Sequence, residues 1–237
     1  MSDWLQVFLL TLMAGIAMPL GALAAWGEKI RSQWLEQEFR HAVIAFGGGA
    51  LLSAVALVLV PEGSRQLNIA SVTVLFLAGG LTFMGLDILL DKFRSPAGQL
   101  VAMMSDFLPE ARALGAAFAT GGSAGLLLAA LIAIQNLPEG FNSFGELRKS
   151  GSFSAIKIVL AFFLLAWLGP VAGLIGFFWL AQFPVIVAGV MIFAAGGILY
   201  LVFQDIAPQA VLKNRWAPAM GSVLGFLLGL VGQMLVG

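Results

Sequence analysis

The chain has 237 residues, of which 60% are hydrophobic and only 10% charged, with no net charge and a mean hydropathy of +1.00. Soluble domains carry about 25% charged residues, so this composition excludes an ordinary water-soluble fold, and a neutral chain offers no basic footprint for nucleic acid. With no cysteine, disulfides and thiolate metal sites are excluded as well.

Apolar stretches of about 20 residues, the length that crosses the hydrocarbon core of a bilayer, recur from end to end. They are continuously apolar rather than alternating, which favours helices over an outer-membrane barrel. Eight spans are predicted, near 4–26, 42–61, 70–90, 98–119, 123–145, 155–180, 184–207 and 217–236. The first is preceded by Met1-Ser-Asp-Trp, without the basic region of a cleavable leader, and reads as a span. The second follows His41, the only histidine, and contains Gly47-Gly48-Gly49. The third carries Asp87 and the seventh Gln204 and Asp205, all near span ends, where an exit path, snorkelling or interhelical hydrogen bonds would each explain them. The fourth is the weakest, with Asp106, Glu110 and Arg112 inside it, and hydropathy alone would omit it to leave seven spans. It is kept because Asp106 and Glu110 are four apart, on one helical face.

The loop charges agree with eight. Lys29, Arg31 and Arg40 fall between spans one and two, and Lys92 and Arg94 between three and four. Arg148, Lys149 and Lys157 lie in the five–six region, and Lys213 and Arg215 between seven and eight. Only Arg65 and Arg112 of the twelve basic residues lie on the other side. The positive-inside rule then puts those four loops in the cytoplasm and both termini outside.

Two internal repeats stand out. Asp106-Phe-Leu-Pro109-Glu110-Ala111 and Gln135-Asn-Leu-Pro138-Glu139-Gly140 match in spacing, 29 residues apart. Phe46-Gly-Gly-Gly-Ala-Leu-Leu resembles Phe193-Ala-Ala-Gly-Gly-Ile-Leu, and in both a proline follows fifteen residues after the Phe, at Pro61 and Pro208. Spans two and seven therefore read as copies of opposite orientation. Inverted repeats with discontinuous helices are a signature of secondary transporters, whose sites lie near the midplane.

The Pro-Glu pairs carry the chemistry. An intramembrane Glu is a functional hypothesis by default, although protonated, hydrogen-bonded packing beside a kink is the bland alternative. Each proline also frees the carbonyl four residues back, at Ser105 and Ile134. If the fourth and fifth helices pack side by side, Asp106, Glu110, Gln135 and Glu139 converge, with Asn136 beside them. Three carboxylates cannot all stay charged and unpaired in a dry interior. A divalent cation or protons must compensate them, and oxygen-rich sites suit hard or borderline divalent ions.

At these residues the chain resembles the ZIP (Zrt/Irt-like) family of divalent metal transporters. Gln135-Asn-Leu-Pro-Glu-Gly140 looks like the family's fifth-helix motif. The fourth-helix motif, His-Asn-x-Pro-Glu-Gly, falls on Asp106-Phe107-Leu108-Pro109-Glu110-Ala111, and Leu168-Gly169-Pro170-Val171-Ala172-Gly173 is similar to the sixth-helix Glu-Pro-x-Ala-Gly stretch. The resemblance implies an all-α, eight-helix, inverted-repeat bundle forming a single domain over 1–237. It implies a primary metal position at Asp106, Glu110, Gln135 and Glu139, with Asn136 adjoining. The family's second position would need Phe107, Asn136 and Gly169, two of which cannot ligate, so one metal is expected. The histidine of the family motif has become a carboxylate, which shifts preference from zinc toward manganese or iron(II).

The expected function is transport of a divalent metal ion (Zn, Mn or Fe(II)) into the cytoplasm across the plasma or inner membrane. A ZIP-like protein that binds metal as a sensor or assembly partner, with little or no transport, is the alternative. The expected partners are the metal ion as substrate, the lipid bilayer and a second copy of the chain, with no organic cofactor and no nucleic acid. No Ser/His/Asp, HExxH, phosphate-loop or dinucleotide fingerprint is present, so an enzyme is not expected. His41 reads as an interfacial side chain and Met103 and Met104 as packing.

Overall fold

The computed structural model describes residues 2–27, 33–93, 96–119, 124–210 and 216–236. Among the described residues the regular structure is all helical. The rods in chain order are α1 (Asp3–Gly27), α2 (Gln33–Ala54, continued through Val55–Leu59 to Val60–Ser64), α3 (Ile69–Phe93), α4 (Pro96–Ala119) and α5 (Ala124–Lys149). They continue as α6 (Ala155–Ala166 and Leu168–Phe178), α7 (Pro184–Leu201, continued through Val202–Ile206 to Ala207–Gln209) and α8 (Ala217–Val236).

Six of these, α1, α2, α3, α6, α7 and α8, are long and apolar enough to cross a membrane. Their outward faces carry side chains such as Val74, Leu77, Leu81, Leu164 and Leu235, which only lipid or another apolar surface would cover. The chain is thus a helical membrane protein. The two rods outside that set, α4 and α5, are those whose apolar sequence is interrupted by polar residues, and hydropathy separates both of them from the rest rather than α4 alone. At 24 and 26 residues each measures about 36 Å or more at 1.5 Å per residue, enough for a hydrocarbon core of about 30 Å.

Prolines shape the rods. Pro19, Pro109 and Pro138 lie inside α1, α4 and α5, where each removes one backbone bond. In α2 and α7 the helix widens into a π-turn just before proline, at Val55–Leu59 ahead of Pro61 and at Val202–Ile206 ahead of Pro208. The wider turn closes with Val60 N–H donating to the Val55 carbonyl and Ala207 N–H to the Val202 carbonyl. In α6 the break at Trp167 precedes Pro170, which cannot donate to the Ala166 carbonyl.

The packing reveals an internal symmetry. Rods α1 and α5 pack together, as do α4 and α6, α2 and α8, and α3 and α7. Exchanging α1 with α6, α2 with α7, α3 with α8 and α4 with α5 maps this set of pairs onto itself. Close glycine contacts repeat in the same way. Gly225 of α8 abuts the Phe46 carbonyl of α2, and Gly79 of α3 abuts the Phe193 carbonyl of α7. Gly49 abuts the Ser222 carbonyl, and Gly196 the Phe76 carbonyl. The α2 and α7 members of these contacts, their π-turns and their prolines are all 147 residues apart. The repeat read from the two Phe-led segments is therefore a repeat of backbone geometry as well.

The inner pairs behave alike. Gly21 abuts the Leu137 carbonyl and Gly140 the Met18 carbonyl, while Gly176 abuts the Arg112 carbonyl and Gly115 the Gly173 carbonyl. Equivalent residues of α4 and α5 are here 25 apart, whereas the Pro-Glu motifs are 29 apart. Motif and packing are thus one helical turn out of step. The packing partner of Glu110 is Gln135, not Glu139.

Candidate functional site

The inner rods α1, α4, α5 and α6 enclose the polar residues. Glu110 and Gln135 face each other from α4 and α5, and both are buried, at 2% and 4% exposure. The Gln135 side-chain nitrogen Nε2 donates to both carboxylate oxygens of Glu110, at 2.8 and 2.7 Å. Because the two are packing equivalents, this contact lies where the internal symmetry brings α4 and α5 face to face.

Asn136 is one residue further along α5 and turns toward α1 instead. Its Nδ2 donates to the Ala14 carbonyl at 2.9 Å, and the side chain has no exposure. Two amide oxygens, Gln135 Oε1 and Asn136 Oδ1, are buried with no hydrogen-bond partner among the described residues. A buried acceptor left bare costs about 1–3 kcal/mol, so these two mark a place where something with positive character belongs.

Glu139, one turn beyond Gln135, is partly buried and close enough to Glu110 for the two charges to interact. Among the described residues no cationic side chain pairs with either glutamate. Arg112, the basic residue nearest in sequence, is exposed on another face of α4. Asp106 lies one turn before Glu110 on α4, and its side chain is outside the described residues. The described residues contain no group of three or more His, Asp or Glu arranged to hold a metal. What they bring together is a carboxylate pair with two amide side chains. Backbone carbonyls are nearby: Pro138 leaves that of Ile134 without its helical donor, and Pro109 does the same at Ser105.

Phe107 supplies a feature that the sequence did not disclose. Its ring has no exposure and fills the space between α1 and α6. A Cβ added to Gly169 would lie 2.5 Å from its Cζ and 2.8 Å from the Thr11 carbonyl, and one on Gly15 would lie 3.0 Å from the same Cζ. The two residues that cannot serve a second metal position are thus packed against each other. Met103 and Met104 belong to the apolar core, as expected of packing residues.

A second polar group gathers toward the C-terminal ends of α3, α5 and α7. The Tyr200 hydroxyl donates to Asp87 at 2.9 Å, and Asn142 donates to Glu146 at 3.1 Å. Asp205, in the π-turn of α7, lies within electrostatic range of Asp87 and Glu146. Ser143, next to Asn142 on α5, is buried. At the far end of α2, Glu62 pairs with Arg65 at 2.8 Å, partly exposed as its place at a span end predicts. His41 is partly buried near the start of α2.

No known protein-family model and no curated protein matches this chain.

Proposed function

We propose that the chain is an eight-span membrane transporter that carries a divalent metal ion of the Zn/Fe/Mn class into the cytoplasm, with both termini outside, in the manner that its resemblance to the ZIP family implies. The observation that carries this reading is the set of bare acceptors. Among the described residues Gln135 Oε1 and Asn136 Oδ1 lie buried without donors on the same proline-broken helix as Glu139; Gln135 sits against Glu110, Asn136 against α1, and no described cationic side chain pairs with the glutamates. A divalent ion supplies what that arrangement lacks. The proposed ligands are Asp106, Glu110, Gln135 and Glu139, with Asn136 adjoining. The polar group formed by Asn142, Glu146, Asp87 and Asp205 is the proposed inward path.

One ion is expected, because Phe107 and Gly169, which fall where the family resemblance implies ligands for a second, cannot ligate; they pack against each other instead. An all-oxygen site favours manganese or iron(II) over zinc relative to a site with imidazole. Uptake of ⁵⁴Mn or ⁶⁵Zn into proteoliposomes tests the reading. Flux above that of Glu139→Ala is expected, and equal flux would eliminate transport. In that case metal-dependent thermal stabilisation, retained in the wild type and lost in Glu139→Ala, would mark the chain as a metal-binding sensor or assembly partner. Asp106→His tests the choice of metal. It should move stabilisation toward Zn²⁺ relative to Mn²⁺, and no such shift would sink the preference for harder ions.

A further inference from the structure

We infer that the side-chain amide of Gln135 takes the place of the cation while the site is empty, donating to Glu110 in the empty protein and turning its oxygen to the ion in the loaded one. The inference rests on the transport reading above and adds a step to it.

Gln135 spends its positive end on Glu110, at 2.8 and 2.7 Å to the two oxygens, and its negative end has no partner among the described residues. A carboxylate without a partner is more expensive in a dry interior than an amide oxygen without one. The arrangement therefore satisfies the costlier group at the expense of the cheaper. A divalent ion reverses the balance. Once it sits against Glu110, the Gln135 N–H is no longer needed there and would face a positive charge. Rotation of the terminal amide by about half a turn then presents Oε1 to the ion, about a torsion that is broad and roughly two-fold. Both demands of the loaded state, an acceptor for the ion and a partner for Oε1, are met by that one rotation.

The packing symmetry says why this side chain has the role. Glu110 and Gln135 occupy equivalent positions of α4 and α5, 25 residues apart like Gly115 and Gly140. Identical residues there would be two acids that repel or two amides that leave the ion one carboxylate fewer. One acid and one amide form a self-satisfied pair that a cation can still open.

The consequence falls on the return of the empty carrier. Net uptake requires the site to cross back empty, whereas exchange of one ion for another lets it return loaded. Carrying an uncompensated carboxylate through hydrocarbon is costly, so the Gln135 donors favour net uptake specifically.

The test compares net ⁵⁴Mn uptake with ⁵⁴Mn/Mn exchange in proteoliposomes of the full chain. Gln135→Glu keeps an oxygen ligand and removes the donors. Gln135→Asn keeps an amide too short to reach Glu110 and serves if the first variant does not fold. Both fluxes should fall, and the ratio of net uptake to exchange should fall by about tenfold, the equivalent of one hydrogen bond to a charged group. Without Mn²⁺ the variant should also melt below the wild type, and saturating Mn²⁺ should narrow the gap. An unchanged ratio with a gap indifferent to Mn²⁺ would overturn the inference while leaving the transport reading in place. A wild type with neither flux nor stabilisation by Mn²⁺ or Zn²⁺ would remove that reading and this inference together.

Discussion

Phe107 and Gly169 fit as a pair, so their substitutions should couple. Gly169→Ala places a methyl 2.5 Å from the Phe107 ring and 2.8 Å from the Thr11 carbonyl. Overpacking of this kind costs about 1–3 kcal/mol. Phe107→Leu should relieve the part due to the ring and leave the part due to backbone, so the double variant should be less destabilised than the sum of the single ones, as read from thermal melts in detergent. Asn136 makes a different demand. Asn136→Ala removes its bond to the Ala14 carbonyl and should lower stability by about 0.5–2 kcal/mol, the range for interhelical polar contacts in membranes. If Asn136 Oδ1 also touches the ion, stabilisation by Mn²⁺ should shrink in the same variant; unchanged stabilisation would confine Asn136 to joining α1 and α5. The candidate ligands were legible in the sequence because acids beside proline are rare in apolar helices. The divergence of Gln135 and Asn136 toward different neighbours was not, since adjacent residues on a helix point about 100° apart and only the packing says what each one meets.

Among the elements, the glycines that let backbones touch are the most exacting positions. Gly79 on α3 and Gly225 on α8 are equivalents, each lying against a phenylalanine carbonyl of the partner rod. Gly79→Leu and Gly225→Leu should therefore both separate their helix pairs, and to a similar degree, each costing about 3 kcal/mol or more because backbone cannot yield as a side chain can. Size-exclusion profiles after heating would check this, and a large disparity between the two would count against the equivalence of the outer pairs. The Phe-led repeat was visible in residues 46–52 and 193–199, yet its depth was hidden. The shared π-turns arise from how a helix accommodates an approaching proline, and the matched contacts involve glycines whose identity alone does not say which face they occupy. The Pro-Glu repeat misled in one respect. It aligns Glu110 with Glu139, whereas packing aligns Glu110 with Gln135, one turn away, because packing follows the glycines and not the prolines.

At the scale of the whole molecule the open quantity is orientation in the bilayer. On the proposed topology the basic loops would put both termini outside and the α5–α6 connection in the cytoplasm. The chain has no cysteine, so single cysteines can be introduced without removing any. Ser150→Cys should resist a membrane-impermeant thiol reagent in intact cells, and Asn68→Cys, on the α2–α3 connection, should react; the opposite pattern would invert the topology. The composition by itself determined that the chain is a helical membrane protein, since continuous apolar stretches can satisfy their backbone only by closing hydrogen bonds within each segment. It also marked the two interrupted helices, because polar residues in such stretches are costly enough to be conspicuous. Only the tertiary structure decided how the helices pair, that Gln135 rather than Glu139 faces Glu110, and that Phe107 fills the space beside Gly169. Those outcomes depend on how closely two backbones approach and in what register, which side-chain volumes on several helices settle jointly and no single segment encodes.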